Sequence, residues 1–481
     1  MQKIDNYING EITPPLSGEY LDNFDPSSGS IYSAIADSDE RDVQSAVEAA
    51  NAAFPAWSKT STELRHDIIM RLVALIERDL EPLAIAESID QGKPLSLART
   101  VDIPRAVSNF KFYATAAMHT TNEAYDNPAQ AAINYTLRQP LGVVGCISPW
   151  NLPLYLFSWK VAPAIAAGCT VVAKPSEVTP MTAFLLSKLC IEAGLPAGVL
   201  NIVHGLGQKV GSAMSSHKGI KAISFTGGTK TGEEIARVAA PMFKKLSLEL
   251  GGKNPNIIFA DCNYEEMMST TIRSSFSNQG EICLCGSRIF VERPLFENFR
   301  RDFIERVNAL QVGDPLLAAT NVGAIVSKPH FEKIMSYIDL AKQEGGSILT
   351  GGKQIILDGR CVDGWFIEPT VIEGLPFDCR TNQEEIFGPV VTIMPFDTED
   401  EVISYANSVR YGLSASVWTE NLSRAHRVAA EIESGFVWIN TWMLRDLRTL
   451  FGGVKDSGMG REGGFEALRF FTEEKNVCVK F

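Results

Sequence analysis

The sequence predicts an α/β protein built on parallel, Rossmann-like sheets, and three observations carry that expectation. At 481 residues the chain exceeds one ordinary hydrophobic core, so two or three domains are expected. From residue 140 onward short apolar runs alternate with helical stretches, as in the strand–helix–strand crossovers of a parallel sheet. Residues 256–440 repeat the alternation, which reads as a second α/β domain.

Each element has a local reason. Between 41 and 95, RDVQSAVEAANAAFPAW and ELRHDIIMRLVALIERDLEPLAIAESID set apolar residues three and four apart, so they read as helices. NPAQAAINYTLRQP (127–140) is polar and strand-like and interrupts the first domain. LGVVGCIS is a strand, LFSWKVAPAIAAG a helix, TVVAKPS a strand, TAFLLSKLCIEAG a helix, and VLNIVHG and AISFTGG are strands. In the second domain NIIFAD, SRIFVER, VVTIMPF, SASVWTE and GFVWIN are strand candidates. The tail KNVCVKF alternates Val477, Val479 and Phe481. On their own, 127–140 and this tail fit a solvated hairpin and a frayed terminus.

Composition narrows the partners. Apolar content of 45% and charged content of 21% are those of a soluble globular protein. The net charge of −13 argues against nucleic acid and anionic membranes, and an anionic substrate would need a local basic pocket. The apolar region 141–173 is broken by Pro149, Asn151, Pro153, Lys160 and Pro163, so no membrane span is expected. Met1 to Asn6 lead into no apolar signal core. Nine cysteines without paired metal spacing point to free thiols in a reducing cytoplasm, and no metal site is expected.

The densest chemical signal is FSNQGEICLCGSRIF, residues 276–290. Cys283 lies three residues after Gly280 and just before a strand candidate, so its thiol is expected on a tight turn. Earlier, LELGGKNPNIIF sets Glu249 before a Gly-Gly pair. A cysteine and a carboxylate, each beside glycines that admit substrate or cofactor, point to covalent catalysis with a general base. An isolated cysteine is more often a small buried apolar side chain. Lys174 and Glu177 follow a strand end, where nucleotides bind in doubly wound folds. A carboxylate there can accept from ribose hydroxyls and repels a 2′-phosphate. Alone, such a pair is more often a solvated ion pair. FTGGTKTG (225–232) joins a strand to a helix, and glycines at a helix N-terminus suit a pyrophosphate. GLGQKVG (205–211) looks like a dinucleotide fingerprint but lacks the acidic residue expected about twenty residues on, so it is set aside. Arg445 lies in a locally basic stretch and Arg105 on a predicted helix. Two guanidinium groups would suit a substrate ending in a carboxylate; the plainer reading of each is a surface ion pair.

SPWNLPLYLFSWKVAPAIAAGCTVVAKPSEVTP (148–180), AISFTGGTKTG (222–232), LELGGKNPNIIF (248–259), FSNQGEICLCGSR (276–288), EEIFGPVV (384–391) and FGGVKDSGMGREGG (451–464) together resemble the NAD(P)-dependent aldehyde dehydrogenases. WMLRDLRTLFGG and the ending FFTEEKNVCVKF resemble, within that superfamily, the 2-aminomuconate and 2-hydroxymuconate semialdehyde dehydrogenases. The resemblance implies an aldehyde dehydrogenase-type fold: an NAD-binding domain over 1–122 and 141–250, a catalytic domain over 251–450, and a β oligomerisation arm from 123–140 and 465–481. It implies a homodimer or homotetramer. It makes Cys283 the nucleophile and Glu249 the base, with the Asn151 carboxamide and the Cys283 backbone N–H as oxyanion donors; alone, Asn151 would be a turn residue. Pro149, Trp150, Lys174, Glu177, Gly227, Gly228, Gly232 and Leu250 would line the cofactor cleft. Glu385 would hold the nicotinamide ribose, and Phe387 would pack on the ring. Arg105 and Arg445 would meet the substrate.

The expected activity is NAD-dependent oxidation of an aldehyde to its acid through a cysteine thioester. The expected substrate is a small carboxylated semialdehyde such as 2-aminomuconate or 2-hydroxymuconate 6-semialdehyde; the alternative is a general aliphatic, aromatic or betaine-type aldehyde. Two departures stand out: Gly228 where many relatives carry Ser, and Leu450 where Pro is more usual. Glu249 disfavours a CoA-acylating enzyme, and a cysteine hydrolase would need a histidine motif that none of the six histidines provides. An idle binding protein would not need Cys283, Glu249 and Asn151 all intact.

Overall fold

The computed structural model describes residues 1–481. An eight-stranded sheet holds, in spatial order, Gly458–Met459, Lys245–Glu249, Ala222–Thr226, Val143–Ile147, Thr170–Lys174, Leu200–Ile202, Asn6–Ile8 and Glu11–Thr13. Its central five strands are parallel. Val143–Ile147 and Thr170–Lys174 are buried at every position. Helices cover both faces of such strands, which is why they read as continuous apolar runs rather than alternating ones.

The chain runs from Val143–Ile147 to one side of the sheet, then returns to add Ala222–Thr226 and Lys245–Glu249 on the other. The turns after Ile147 and Thr226 therefore diverge, leaving a crevice at the carboxyl ends of neighbouring strands. Open α/β sheets bind ligands at this switch point.

A second, seven-stranded sheet has the order Ser347–Thr350, Thr370–Glu373, Val390–Phe396, Arg288–Glu292, Pro255–Ile258, Ser414–Trp418 and Phe436–Ile439. All neighbours are parallel except the antiparallel edge strand Ser347–Thr350. A three-stranded sheet pairs Thr472–Lys480 antiparallel with Ala132–Pro140, from Thr472↔Pro140 to Lys480↔Ala132, and adds Ala124–Asn127. The tail is thus a paired strand rather than a frayed end.

Several features escape the sequence reading, among them the strands Asn6–Ile8, Glu11–Thr13 and Gly458–Met459 of the first large sheet and Ser347–Thr350 and Thr370–Glu373 of the second. Gln2–Ile4, Tyr20–Asp25 and Ser30–Ala36 form an N-terminal sheet. Ala98–Asp102 is a π-helical turn. Glu249 is the last residue of the strand Lys245–Glu249. The largest core packs Thr62–Arg78, Ile103–Ala117 and Pro153–Ala166 against the first sheet, and it includes Ile282 and Leu284, the neighbours of Cys283. All nine cysteines are free thiols, and no helix is long and apolar enough to cross a membrane.

Candidate active site

Three cavities meet end to end at the switch point. The largest, about 510 Å³, is lined by Pro149, Trp150, Lys174, Glu177, Gly227 and Gly228 among others. The middle one, about 260 Å³, shares Pro149, Trp150, Gly227 and Gly228 and reaches Asn151, Leu250, Cys283, Glu385 and Phe387. The third is tight and mostly apolar; it runs past Cys283 to Tyr155, Trp159, Arg445, Glu249 and Glu462. A long polar cleft and a narrow apolar tunnel thus approach Cys283 from opposite sides.

The cleft fits a dinucleotide. Helix Thr229–Ala239 starts at Gly228 without a side-chain cap, leaving its first N–H groups free at the cavity wall. A Cβ on Gly228 would meet nothing within 4 Å, so space does not force glycine there. Gly232 is different: its missing Cβ lets the helix close on Leu250, which would lie 2.5 Å away. Glu177 is ion-paired with Lys174 at 2.8 Å and also accepts from the Gly207 N–H at 3.0 Å. The Lys174 half of the pair is buried, at 2% exposed, while the Glu177 side chain keeps 29% of its surface open to the cleft. Despite partial burial, the Lys174 ammonium holds the Glu177 carboxyl below its ordinary range. The segment set aside as a fingerprint, 205–211, still shapes this cleft: Gly207 and Gly211 line it from a π-helical turn.

At the nicotinamide end, Glu385 accepts from the Gly252 N–H at 2.8 Å. A Cβ on Gly251 would lie 2.5 Å from the Glu385 carboxylate, and one on Gly252 would lie 2.8 Å from the Cys283 carbonyl. The glycine pair is therefore what lets this turn pass between the two. Phe387 has φ 64°, uncommon for a bulky residue, and its ring meets Trp150 edge-on at 5.3 Å.

Cys283 is half-buried on the turn that follows Ser277–Gly280. Asn278, Gln279 and Gly280 all take left-handed φ (54°, 55° and 71°). A Cβ on Gly280 would sit 2.2 Å from the Gly388 carbonyl. The Asn254 amide donates to the Cys283 and Cys285 carbonyls at 2.7 and 2.9 Å. Asn151, 2% exposed, donates from Nδ2 to the Glu281 carbonyl at 2.9 Å, while its Oδ1 has no partner. One amide hydrogen is thus spent on the Cys283 loop, leaving one for a ligand. Burial pushes the Cys283 thiol up, and the Glu385 and Glu249 carboxylates add to it; Arg445 pulls the other way.

Glu249 is buried, and neither carboxylate oxygen has a hydrogen-bond partner. Burial, then the nearby Glu462 carboxylate, hold it well above the ordinary carboxylate range. Glu462 accepts from Lys160 Nζ at 2.7 Å and from the Ser224 hydroxyl at 2.8 Å. Arg445 lies over the Phe451 ring at 4.1 Å and the Trp159 ring at 5.6 Å, with its Nε buried and lacking an acceptor. Arg105 lies over Tyr155 at 5.5 Å, beside the tunnel rather than in its wall.

Lys160, Glu462 and Thr226 were not among the sequence candidates. Thr226 lines all three cavities with a buried, unpartnered hydroxyl. The available signal for Lys160 was a charge inside the apolar helix LFSWKVAPAIAAG; a buried ammonium demands a partner.

The aldehyde dehydrogenase family model matches residues 13–477. The chain is 50% identical over 480 residues to 2-aminomuconic semialdehyde dehydrogenase of Mus musculus, covering 99% of this chain and 98% of that one. It is 44% identical over 485 residues to 2-hydroxymuconic semialdehyde dehydrogenase of Pseudomonas sp. (strain CF600), with full coverage of both. The fold superposes on an NAD+ complex of aldehyde dehydrogenase from Bacillus cereus with a TM-score of 0.97 at 39% identity, covering 100% of this chain and 97% of that one. The chain belongs to the aldehyde dehydrogenase family.

Proposed function

We propose that this aldehyde dehydrogenase uses NAD to oxidise a carboxylated semialdehyde of the muconate type. The observation that carries the substrate is Arg445: a guanidinium held between two aromatic rings in the tunnel from Cys283, with a buried Nε lacking an acceptor. A distal carboxylate would supply that acceptor, and Arg105 over Tyr155 would add a second cation near the tunnel. The names of the muconic semialdehyde relatives support the same reading.

The chain's own residues divide the work. Cys283 attacks the aldehyde carbon, and the remaining Asn151 amide hydrogen and the Cys283 backbone N–H stabilise the oxyanion. NAD, when bound, accepts the hydride. Glu249 then takes a proton from water, which hydrolyses the thioester and releases the acid. Burial raises the Glu249 proton affinity, and Glu462, fixed by Lys160 and Ser224, raises it further. Glu177 disfavours a 2′-phosphate and so favours NAD over NADP. This reading assigns the cofactor to residues 1–122 and 141–250, chemistry to 251–450, and assembly of a cytoplasmic homo-oligomer to the arm of 123–140 and 465–481.

The test is a steady-state screen of aliphatic, aromatic and carboxylated semialdehydes with NAD and NADP, repeated on Arg445→Ala. A charge-assisted hydrogen bond contributes about 1.5–3 kcal/mol. The variant should therefore lose roughly ten- to a hundredfold in kcat/KM for a carboxylated semialdehyde and almost nothing for benzaldehyde. Equal losses on both would make Arg445 structural and leave a general aldehyde as the better substrate.

A further inference from the structure

Behind the oxyanion pocket lies a set of buried charges that the chemistry above does not use. Lys93 follows helix Leu80–Gln91 and is 0% exposed. Its ammonium donates to Asp102 at 2.7 Å and to the backbone carbonyl of Asn151 at 3.1 Å. Asp102, equally buried, ends the π-helical turn Ala98–Asp102, a local distortion of a kind frequent at functional sites.

The Asn151 carbonyl has a second donor. Asn278 Nδ2 reaches it at 3.1 Å and also reaches the Glu281 carbonyl at 3.2 Å. The Asn151 side chain donates to that same Glu281 carbonyl. These contacts close a ring that joins the turn carrying Asn151 to the turn carrying Cys283. Within it the Asn151 carboxamide is held on one side only, since its Oδ1 is unpartnered. Its direction therefore depends on where the backbone of residue 151 is fixed, and an ammonium is a stronger donor to that carbonyl than a neutral amide.

We propose that Lys93, oriented by Asp102, is a positioning residue: by gripping the Asn151 carbonyl it aims the Asn151 carboxamide at the developing oxyanion. Lys93 touches no reacting atom and acts through Asn151. The proposal rests on the assignment of Asn151 as an oxyanion donor.

The experiment is a double-mutant comparison on the full-length enzyme. Lys93→Met/Asp102→Asn removes both charges together, so neither is left buried alone. Two rates are read: NAD-dependent oxidation of the best aldehyde from the screen, and p-nitrophenolate release from p-nitrophenyl acetate. In the second reaction the Cys283 thiolate attacks the ester carbonyl and the C–O bond to nitrophenolate breaks, so neither oxidant nor semialdehyde is needed.

Both rates should fall tenfold or more with KM for the aldehyde within about twofold, while iodoacetamide still alkylates Cys283 at the wild-type rate. In an Asn151→Ala background the same two substitutions should change neither rate. Lys93→Gln/Asp102→Asn, which keeps a neutral donor, should recover part of the loss. An undiminished effect of the pair in the Asn151→Ala background, or no effect in the wild type, would overturn the positioning role. An Asn151→Ala enzyme with wild-type rates would instead overturn the assignment of Asn151 itself.

Discussion

The Cys283 thiol stands in surroundings that oppose its ionisation: burial and two carboxylates raise its proton affinity, and Arg445 is the cation that counters them. Removing the sulfur takes away the nucleophile but none of the residues that line the cavity of Lys174 and Glu177, so Cys283→Ala should abolish oxidation while isothermal titration with NAD still shows near-native affinity. Substantial residual turnover would point to Cys285. Glu249 yields a pH prediction. Its folded-state proton affinity is raised, by burial first and then by the Glu462 carboxylate, and a base must be free of its own proton to accept one. Turnover should therefore rise with pH through the Glu249 titration, and Glu249→Gln should remove that limb of the kcat profile. The stability sign is opposite: a raised folded value favours the fold below the unfolded range of about 4.3 and costs stability as pH climbs through the folded value. Glu249→Gln should accordingly lose less stability to global unfolding than the parent as pH is raised above about 4.3.

At the scale of elements, the Cys283 turn is built on three consecutive left-handed residues, the last of which, Gly280, lies against the Gly388 carbonyl. Gly280→Ala meets both an unfavourable φ and a backbone clash. It should cost well over the roughly 1 kcal/mol of an ordinary glycine replacement and lower activity more than it lowers Tm. The buried pair Lys93–Asp102 makes a separate prediction. Lys93→Met alone should destabilise by about 3–5 kcal/mol, because Asp102 is left unpaired, whereas the double neutral variant should unfold near the wild-type denaturant midpoint.

These elements also mark what sequence reveals. Cys283, Glu249 and Gly280 announce themselves because glycines and turn residues cluster around them. Lys93 does not: a lone lysine in QGKP looks like any other until its buried acceptors, Asp102 and the Asn151 carbonyl, are known, and Lys160 shows only as a charge in an apolar helix, its partner Glu462 being 302 residues away. The side-chain hydrogen bond from Asn151 to Glu281 crosses 130 residues and has no sequence signature.

Over the whole molecule, the apolar runs mark four strands of the first large sheet and five of the second, whereas Asn6–Ile8, Glu11–Thr13, Lys245–Glu249, Gly458–Met459, Ser347–Thr350 and Thr370–Glu373 carry no such run. The N-terminal sheet lacks the usual signal, because Tyr20–Asp25 buries Asn23 and Asp25 and exposes Phe24, the reverse of their polarity, and its register shifts between Asn23 and Phe24. The three-stranded sheet of Ala124–Asn127, Ala132–Pro140 and Thr472–Lys480 is mostly exposed, and Ala124–Asn127 is an entirely exposed edge. An open edge of this kind pairs readily with another chain. The full-length protein should elute at a multiple of 52.6 kDa, and truncation after Phe470 should reduce that multiple in light scattering. An unchanged mass would remove the arm from assembly.

The account turns on a thioester at Cys283 that Glu249 helps water to cleave, and a single-turnover trace of Glu249→Gln with NAD and aldehyde tests it most directly. It should show a burst of about one NADH per active site, followed by turnover slower than wild type by orders of magnitude. Loss of the burst together with the steady state would contradict it, placing Glu249 in activation of the thiol rather than in hydrolysis.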